Sequence, residues 1–322
     1  MFSCNVWPRR SLCFGQMAVQ NLQIGVVGLA LAQDARDAAR LAREAGFDGL
    51  VFDARTRWLD LTELSLTGRR EFLHMLASQQ QALIAVRADA GPRGLAPDAD
   101  ADRAIGAIDL AMSVAADLNV RFVTAEIGPL PPPPAAVASP PRPKITPQQA
   151  GLIILPEQAA HTSSTEPEQA ASSADHAFAA RVQAALVEIG RRADRCGVTV
   201  AWGNALASFS SLAHALSSAA CPCFGIELDP VAILRDRWSI DETFSALGPL
   251  VRHVRARDAI GGAGARTTPA VLGRGSTNWD QLLAALRNAD YRGVLTIDPL
   301  DLQDRAAAAL EGLQFLRARL HD

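Results

Sequence analysis

The stretch LAREAGFDGLVFD, residues 41–53, decides the fold class of this chain. Its first half has the apolar spacing of an amphipathic helix, Gly46 suits a helix C-terminal cap, and an apolar run typical of a buried strand follows at once. The stretch LRNADYRGVLTID, residues 286–298, repeats the same order near the other end of the chain. A helix followed directly by a strand at both ends predicts a chain built from repeated βα units.

Short apolar runs alternate with longer amphipathic stretches over the rest of the chain. Parallel strands that are covered on both faces read as near-continuous apolar runs. Eight runs fit that description: residues 23–29, 49–53, 82–87, 121–126, 198–202, 224–229, 250–255 and 293–298. The main helical patterns cover residues 34–45, 69–80, 104–117, 178–196, 279–289 and 302–320. We therefore predict an α/β fold, a (β/α)8 TIM barrel whose chemistry lies on the loops that follow the strands. A doubly wound open sheet is the alternative, but no G-x-G-x-x-G follows the first strand.

Composition narrows the class of partner. The chain has 322 residues, a formal net charge of −3 and 49% hydrophobic residues, which is enough for one large core. The chain lacks the excess of basic residues that would indicate a nucleic-acid partner. No apolar run reaches the length of a membrane span. The 5 cysteines have no regular spacing, which indicates a reducing compartment, so we predict a cytoplasmic protein. Cys221 and Cys223 form a C-x-C without a second ligand pair, so two small buried residues are a better interpretation than a zinc site.

Two segments fall outside the barrel pattern. Residues 1–20 are predicted to be an unstructured N-terminal extension of a single barrel domain that covers residues 21–322, with Met17 as an alternative start. The extension can also be read as a twin-arginine export signal, but cleavage near Ala32 would remove the first strand. Residues 129–175, rich in Pro, Ala, Ser and Gln, are predicted to be a flexible insertion after the fourth strand. This insertion is either a mobile loop or a lid whose apolar island, residues 151–156, covers the mouth.

Five stretches carry a likeness to a known family. They are ARLAREAGFDGLVF (39–52), RCGVTVAWGN (195–204), FGIELDPVAIL (224–234), VRHVRARDA (251–259) and LGRGSTNWDQLLAALRNADYRGVLTID (272–298). On these stretches the chain resembles the sugar phosphate isomerase/epimerase family, the xylose-isomerase-like TIM barrels. The resemblance implies a small polar ligand, such as a sugar or sugar phosphate. It also implies a divalent metal that polarises the sugar while two Glu residues relay a proton.

The resemblance further implies four metal ligands, a Glu, an Asp, a His and a second Glu, at the ends of the fifth to eighth strands. The matching positions in this chain are Gly203, Asp229, Arg255 and Asp298. Glycine has no ligand atom, and an arginine guanidinium cannot lose its proton to become one. We therefore expect no cofactor and no divalent Mn, Mg or Zn centre. Arg255 should instead lie near the metal position, bridged to Asp229 and Asp298 by charge-assisted hydrogen bonds.

Several other polar residues stand at the strand ends or in the loops that follow them. The candidate catalytic residues are Asp298, Asp229, Arg255 and Glu126. The candidate substrate-binding residues are Arg87, Asn204, His253, Asp258 and Arg274. Arg255 would stabilise developing charge, and Asp298 or Glu126 would act as the base. Strand periodicity places His253 one layer deeper than Arg255 and beside Glu227, which favours a hydrogen-bonded interior pair. Arg274, between two glycines, suits either a phosphate site or a plain tight turn.

Two functions remain open at this point. The first is a sugar or sugar-phosphate isomerase/epimerase-like protein without the usual metal centre. The second is a non-catalytic carbohydrate-binding or interaction module, a pseudoenzyme on the same barrel, which would bind a ligand without turnover. A DNA-repair role, known in related endonuclease-type barrels, would need a richer metal cluster and a basic surface that faces DNA. With 6 histidines and a slight negative charge, the chain has neither. The sequence leaves the oligomeric state open.

Overall fold

Eight parallel strands close into a barrel, which confirms the predicted TIM fold. The computed structural model describes residues 22–91, 93–133, 166–204, 206–262 and 266–320. The barrel strands are β1 (Gln23–Val27), β2 (Gly49–Asp53), β3 (Ala82–Arg87), β4 (Phe122–Glu126), β5 (Thr199–Gly203), β6 (Phe224–Leu228), β7 (Val251–Ala256) and β10 (Val294–Ile297). Their order around the barrel is β1-β10-β7-β6-β5-β4-β3-β2, so every barrel strand has two neighbours and no edge is exposed.

Helices surround this barrel. They are α1 (Gly28–Leu31), α2 (Ala35–Ala45), α3 (Leu66–Ser78), α4 (Ala101–Asp117), α5 (Glu166–Cys196), α6 (Phe209–Ala219), α7 (Pro230–Asp236), α8 (Ile240–Leu247), α9 (Trp279–Asn288) and α10 (Arg305–Leu320). The unit around residues 41–53 folds as predicted, because Asp34 caps the start of α2 and Gly46, at a φ of 91°, ends it. None of the described helices combines the length and apolarity that crossing a bilayer requires.

The structure differs from the sequence prediction at three places. The chain after β1 turns at Gly28 into a short helix instead of continuing as a strand. Helix α5 begins at Glu166, so residues 166–175 of the predicted insertion are helical. An antiparallel hairpin, β8 (Asp258–Gly261) and β9 (Thr267–Ala270), follows β7 and had no counterpart in the prediction. The predicted extension, residues 1–20, and the apolar island, residues 151–156, lie outside the described residues.

Candidate active site

The candidate site lies at the end of the barrel where the strands finish. Parallel strands all bring their carboxyl ends to one rim, so polar residues at those ends meet even though they are far apart in sequence. This rim, which we call the mouth, carries charged side chains from six places in the chain: Asp53, Arg87, Glu126, Asp229, Arg255 and Asp298. The mouth therefore collects five of the candidate residues, and Asp53 in addition, while their role in ligand binding stays a prediction.

One connected ion-pair network runs across the mouth. Arg255 Nε donates to Asp298 Oδ2 at 2.7 Å, and Arg255 Nη1 donates to Glu126 Oε1 at 2.9 Å. Arg87 Nη1 donates to the same Asp298 oxygen at 3.2 Å. The Nε and Nη2 atoms of Arg87 both donate to Asp53, which makes this pair bidentate. The structure thus joins four of the candidate residues, Arg255, Asp298, Glu126 and Arg87, and also Asp53, in one network.

Charges in this network are strongly coupled. The Asp298 side chain is only 1% exposed, and burial by itself would raise the pKa of its carboxyl. The guanidinium groups of Arg255 and Arg87 outweigh burial and lower the pKa of Asp298 to about 2. Burial likewise opposes the charge on Arg255, but the surrounding carboxylates, Asp298 first, raise the pKa of Arg255 above its ordinary value. A carboxylate with so low a pKa is a weak proton acceptor, which leaves Glu126 as the better candidate base.

Glu126 occupies space that a side chain at Gly203 would need. The two residues are direct partners in the register of β4 and β5. A Cβ atom added at Gly203 would lie 2.9 Å from the carboxyl carbon and from both carboxyl oxygens of Glu126. The Glu126 side chain is 28% exposed, so it faces the open side of the mouth. A carboxylate from β4 therefore lies over the position at which the resemblance expects one from β5.

Asp229 pairs with an arginine that the sequence analysis did not select. Within the described part of the chain, Arg255 forms no hydrogen bond to Asp229, so the predicted bridge between these two residues is wrong. Arg257 Nη2 donates to Asp229 Oδ2, and Arg257 Nη1 donates to Asp301 Oδ2 at 2.7 Å. The other Asp229 oxygen accepts from the Val231 backbone N–H at 2.9 Å and caps helix α7. The sequence did carry a signal for this pairing. The stretch R-A-R, residues 255–257, has a second arginine just past the end of β7.

His253 forms the predicted interior pair. Its Nδ1 lies 2.8 Å from Glu227 Oε1 and its Nε2 lies 2.7 Å from Thr296 Oγ1, and the side chain is 2% exposed. Burial would raise the pKa of Glu227, but the hydrogen bond from His253, together with the positive charges of Arg255 and Arg87, lowers that pKa. Since both ring nitrogens already have partners inside the barrel, the structure does not support the predicted substrate-binding role of His253.

Asp258 organises a loop instead of facing the mouth. Its Oδ1 accepts from the backbone N–H groups of Ala259 (2.9 Å) and Thr277 (3.2 Å). Its Oδ2 accepts from the N–H groups of Gly273 (3.0 Å) and Gly275 (3.1 Å) and from Trp279 Nε1 (3.1 Å). Asp258 is buried and both of its carboxyl oxygens accept hydrogen bonds from this loop. Its predicted role as a substrate contact is therefore not supported.

The two remaining predicted contacts also have structural partners. Arg274 is 70% exposed and pairs with Glu311 of α10 at 2.5 Å, which fits a surface turn better than a phosphate site. Asn204 is buried, its Nδ2 donates to the Ala207 backbone carbonyl oxygen at 3.3 Å, and its backbone carbonyl oxygen accepts from Arg235 Nη1 at 2.8 Å, whereas its side-chain Oδ1 has no partner among the described residues. Asn204 therefore shapes the loop between β5 and α6.

A small cavity adjoins the mouth under the β8–β9 hairpin. Its volume is about 130 Å³, and its polar walls include Arg257, Asp298 and Asp301. Thr267 and Pro269 of the hairpin also line it. Within the described ranges, no three or more His, Cys, Asp or Glu side chains are grouped so as to hold a metal ion.

The closed parallel barrel with surrounding helices defines a TIM-barrel protein. Residues 39–319 match the model of the Xylose isomerase-like TIM barrel family, and the chain belongs to that family. No curated protein sequence matches the chain.

Solved structures of other proteins share the fold at low sequence identity. D-allulose 3-epimerase from Methylomonas sp. in complex with D-allulose is 16% identical, with a TM-score of 0.60 over 93% of this chain and 98% of that chain. D-psicose 3-epimerase with D-tagatose from Clostridium cellulolyticum H10 is 15% identical, with a TM-score of 0.63 over 93% and 99%. A Xylose isomerase-like TIM barrel protein from Mycobacterium smegmatis in complex with magnesium is 15% identical, with a TM-score of 0.61 over 95% and 98%. At these identities the similarity shows the fold alone.

Proposed function

We propose that this chain is a sugar or sugar-phosphate isomerase/epimerase-like protein that binds its ligand without the family's divalent metal centre. The observation that carries the proposal is the position of Arg255. Its guanidinium lies between Asp298 and Glu126, at 2.7 Å and 2.9 Å, where the resemblance places the ligand histidine. A fixed positive charge at that place repels a divalent cation and takes over its pairing with the carboxylates.

The donor set does not fit a divalent metal at the other three positions either. Gly203 has no ligand atom, and Glu126 fills the space beside it. The Asp229 oxygens are engaged by Arg257 and by the Val231 backbone N–H. Asp298 Oδ2 accepts from two arginines at once. Hard divalent ions need several free oxygen or imidazole ligands at fixed distances, and these oxygens are already neutralised by guanidinium groups.

A polyhydroxylated ligand matches the chemistry of the mouth and its cavity. Arg257 can donate to sugar hydroxyl oxygens, and Asp301, whose side chain is 56% exposed, can accept from sugar hydroxyl groups. The structurally similar epimerases from Methylomonas sp. and Clostridium cellulolyticum H10 were solved with D-allulose and D-tagatose, respectively. These two sugars are therefore the first ligands to test.

A second candidate function is a carbohydrate-binding module without turnover. The low pKa of Asp298, about 2, favours this alternative because it removes one of the two carboxylates that a proton relay would use. Under the first function, Glu126 transfers the proton while Arg255 stabilises the charge that develops on the sugar. Under the second, the same groups only bind the sugar.

Metal content and ligand binding test the proposal together. We expect protein expressed with added manganese and purified without chelator to hold less than about a tenth of an ion per chain. Calorimetric titration with D-tagatose and D-allulose should give the same affinity with and without manganese. The variant Arg257→Gln should weaken binding, whereas Arg274→Gln, which removes an exposed arginine elsewhere, should leave it unchanged. About one tightly held ion per chain, or binding that requires manganese, contradicts the proposal. Product analysis after long incubation then separates an enzyme from a binding module.

A further inference from the structure

The end of the barrel opposite the mouth contains a larger cavity than the one under the hairpin. Its volume is about 410 Å³, compared with about 130 Å³ for the cavity under the hairpin. We call it the lower cavity. Residues near the beginnings of four barrel strands line it: Gln23, Ile84, Phe122 and Val294. A TIM barrel is normally filled by layers of side chains, so a space of this size at its amino end calls for an explanation.

Glycines near the strand beginnings let two lining side chains of the lower cavity lie close to the backbone. Gly25 and Gly49 on neighbouring strands β1 and β2 both lie under the Ile84 side chain, and Gly225 of β6 lies under the stem of Arg252. A Cβ atom added at any of these three glycines would meet neighbouring atoms at 3.0 Å or less. The Ile84 side chain and the Arg252 stem therefore fill the positions above these glycines, and the lower cavity lies beside them and extends inward as far as His253.

The walls of the lower cavity combine apolar surface with one available cation. Phe122, Phe244 and Val251 contribute apolar wall, together with Ile84 and Val294. Arg252 also lines the cavity, and its Nη1 donates to the carbonyl oxygens of Pro249 at 2.8 Å and Val251 at 3.3 Å. These two bonds hold the guanidinium in place, and the N–H groups on its other nitrogens remain available to a ligand. Among the described residues Arg252 has no carboxylate partner.

The second arginine of the lower cavity differs from the first. Arg252 and Arg292 are both exposed, but Arg292 forms an ion pair with Asp290. Its charge is therefore balanced, and Arg252 remains the positioned cation of the cavity. Sites for small molecules are typically apolar concavities in which a few placed polar groups set the orientation of the ligand. A guanidinium with spare parallel donors recognises a carboxylate.

We propose that the lower cavity is a second ligand site, which binds a small carboxylate with an apolar body, such as an aromatic or branched aliphatic acid. The apolar body contacts Phe122, Phe244 and Ile84, and the carboxylate accepts hydrogen bonds from Arg252. This site lies at the opposite end of the barrel from the mouth and does not depend on the function proposed above.

Fluorine NMR of the full chain with 4-fluorobenzoate tests the site. We expect saturable binding to the wild-type protein, and binding of the uncharged 4-fluorobenzamide that is weaker by about tenfold, the value of one charge-assisted hydrogen bond. Arg252→Gln should weaken 4-fluorobenzoate binding by about the same factor. Ala289→Trp fills the cavity from its rim while keeping Arg252, and it should abolish binding. Circular dichroism verifies that each variant is folded.

Arg274→Gln is the matched control, since it removes an equal charge from an exposed arginine that does not line the lower cavity. Its affinity for 4-fluorobenzoate should stay within about twofold of the wild-type value. The proposal is overturned if 4-fluorobenzoate does not bind the wild-type chain at millimolar concentration, or if 4-fluorobenzamide binds equally well. It is also overturned if folded Ala289→Trp binds like the wild type, or if the control loses as much affinity as Arg252→Gln.

Discussion

Replacing Arg255 with methionine should destabilise the protein by leaving a buried carboxylate without its main partner. The Asp298 side chain is 1% exposed, and its Oδ2 accepts from Arg255 at 2.7 Å and from Arg87 at 3.2 Å. Arg255→Met keeps a long side chain in place but removes the shorter of these two bonds. The second carboxylate that Arg255 contacts, Glu126, is 28% exposed and can be solvated by water instead.

The expected magnitude follows from this difference in burial. Removing one partner of a buried ion pair typically costs about 3–5 kcal/mol, because the remaining charge stays desolvated. Arg87 still contacts Asp298 in the variant, so we expect the lower end of that range, a loss of about 3 kcal/mol in the free energy of unfolding at pH 7. The double variant Arg255→Met/Asp298→Asn removes the unpaired buried charge. Its loss in unfolding free energy should be smaller than the sum of the two single losses by about 2 kcal/mol.

Urea unfolding followed by far-UV circular dichroism measures these free energies. Arg274→Met is the control, because the Arg274–Glu311 pair is 70% and 44% exposed and should contribute less than about 1 kcal/mol. The slope of the unfolding free energy against urea concentration must stay the same in all variants for the comparison to hold. A loss below about 1 kcal/mol in Arg255→Met would falsify the reasoning, as would a double variant whose loss equals the sum of the single losses.

Three further predictions concern the same end of the barrel. The pKa of Asp298 is about 2 in the folded chain against an ordinary value of 3.8. Its ionisation therefore stabilises the fold by about 2 kcal/mol above pH 4, and this contribution is lost as the pH falls toward 2. Acid titration of stability should show this loss in the wild type and not in Asp298→Asn. Gly203→Ala should cost about 1 kcal/mol because its Cβ meets the carboxyl group of Glu126, and Glu126→Ala should remove that penalty when the two are combined; additive losses would refute the contact. Asp258→Ala leaves five N–H donors without their acceptor, so the loop amides of Gly273 and Gly275 should exchange hydrogen faster and stability should fall by about 3 kcal/mol. Unchanged exchange at those amides would contradict that role.

The order of helices and strands was predictable because it depends on local patterns. Apolar runs and the glycine cap at Gly46 mark βα units wherever they stand in the chain. Alternation along β6 and β7 was equally informative: it places Glu227 and His253 on the interior side, and they lie 2.8 Å apart. The β8–β9 hairpin was missed because its strands contain Gly261 and Pro269, residues that weaken a strand pattern.

The partners of the charged residues could not be predicted in the same way. Alternation places Arg255 in the mouth, but the direction of its side chain depends on the tilt of β7 relative to β4 and β10. The choice between Arg255 and Arg257 as the partner of Asp229 also depends on where α7 begins. Asp258 was predicted as a ligand contact because its carboxyl group is evident from the sequence. The N–H groups that donate to this carboxyl group belong to a loop further along the chain, and only the folded structure brings them to it.

The sequence by itself determined that this chain is a (β/α)8 barrel, that charged residues meet at the carboxyl ends of its strands, and that glycine and arginine stand where the family resemblance expects metal ligands. Only the tertiary structure decided which carboxylate each arginine neutralises, that Glu126 lies over Gly203, and that a lower cavity opens beside Arg252. The physical reason is the distance in the sequence over which each kind of interaction acts. Periodicity and capping depend on neighbours a few residues apart, whereas ion pairing and empty volume depend on distances of a few ångströms between strands that only closure of the barrel brings together.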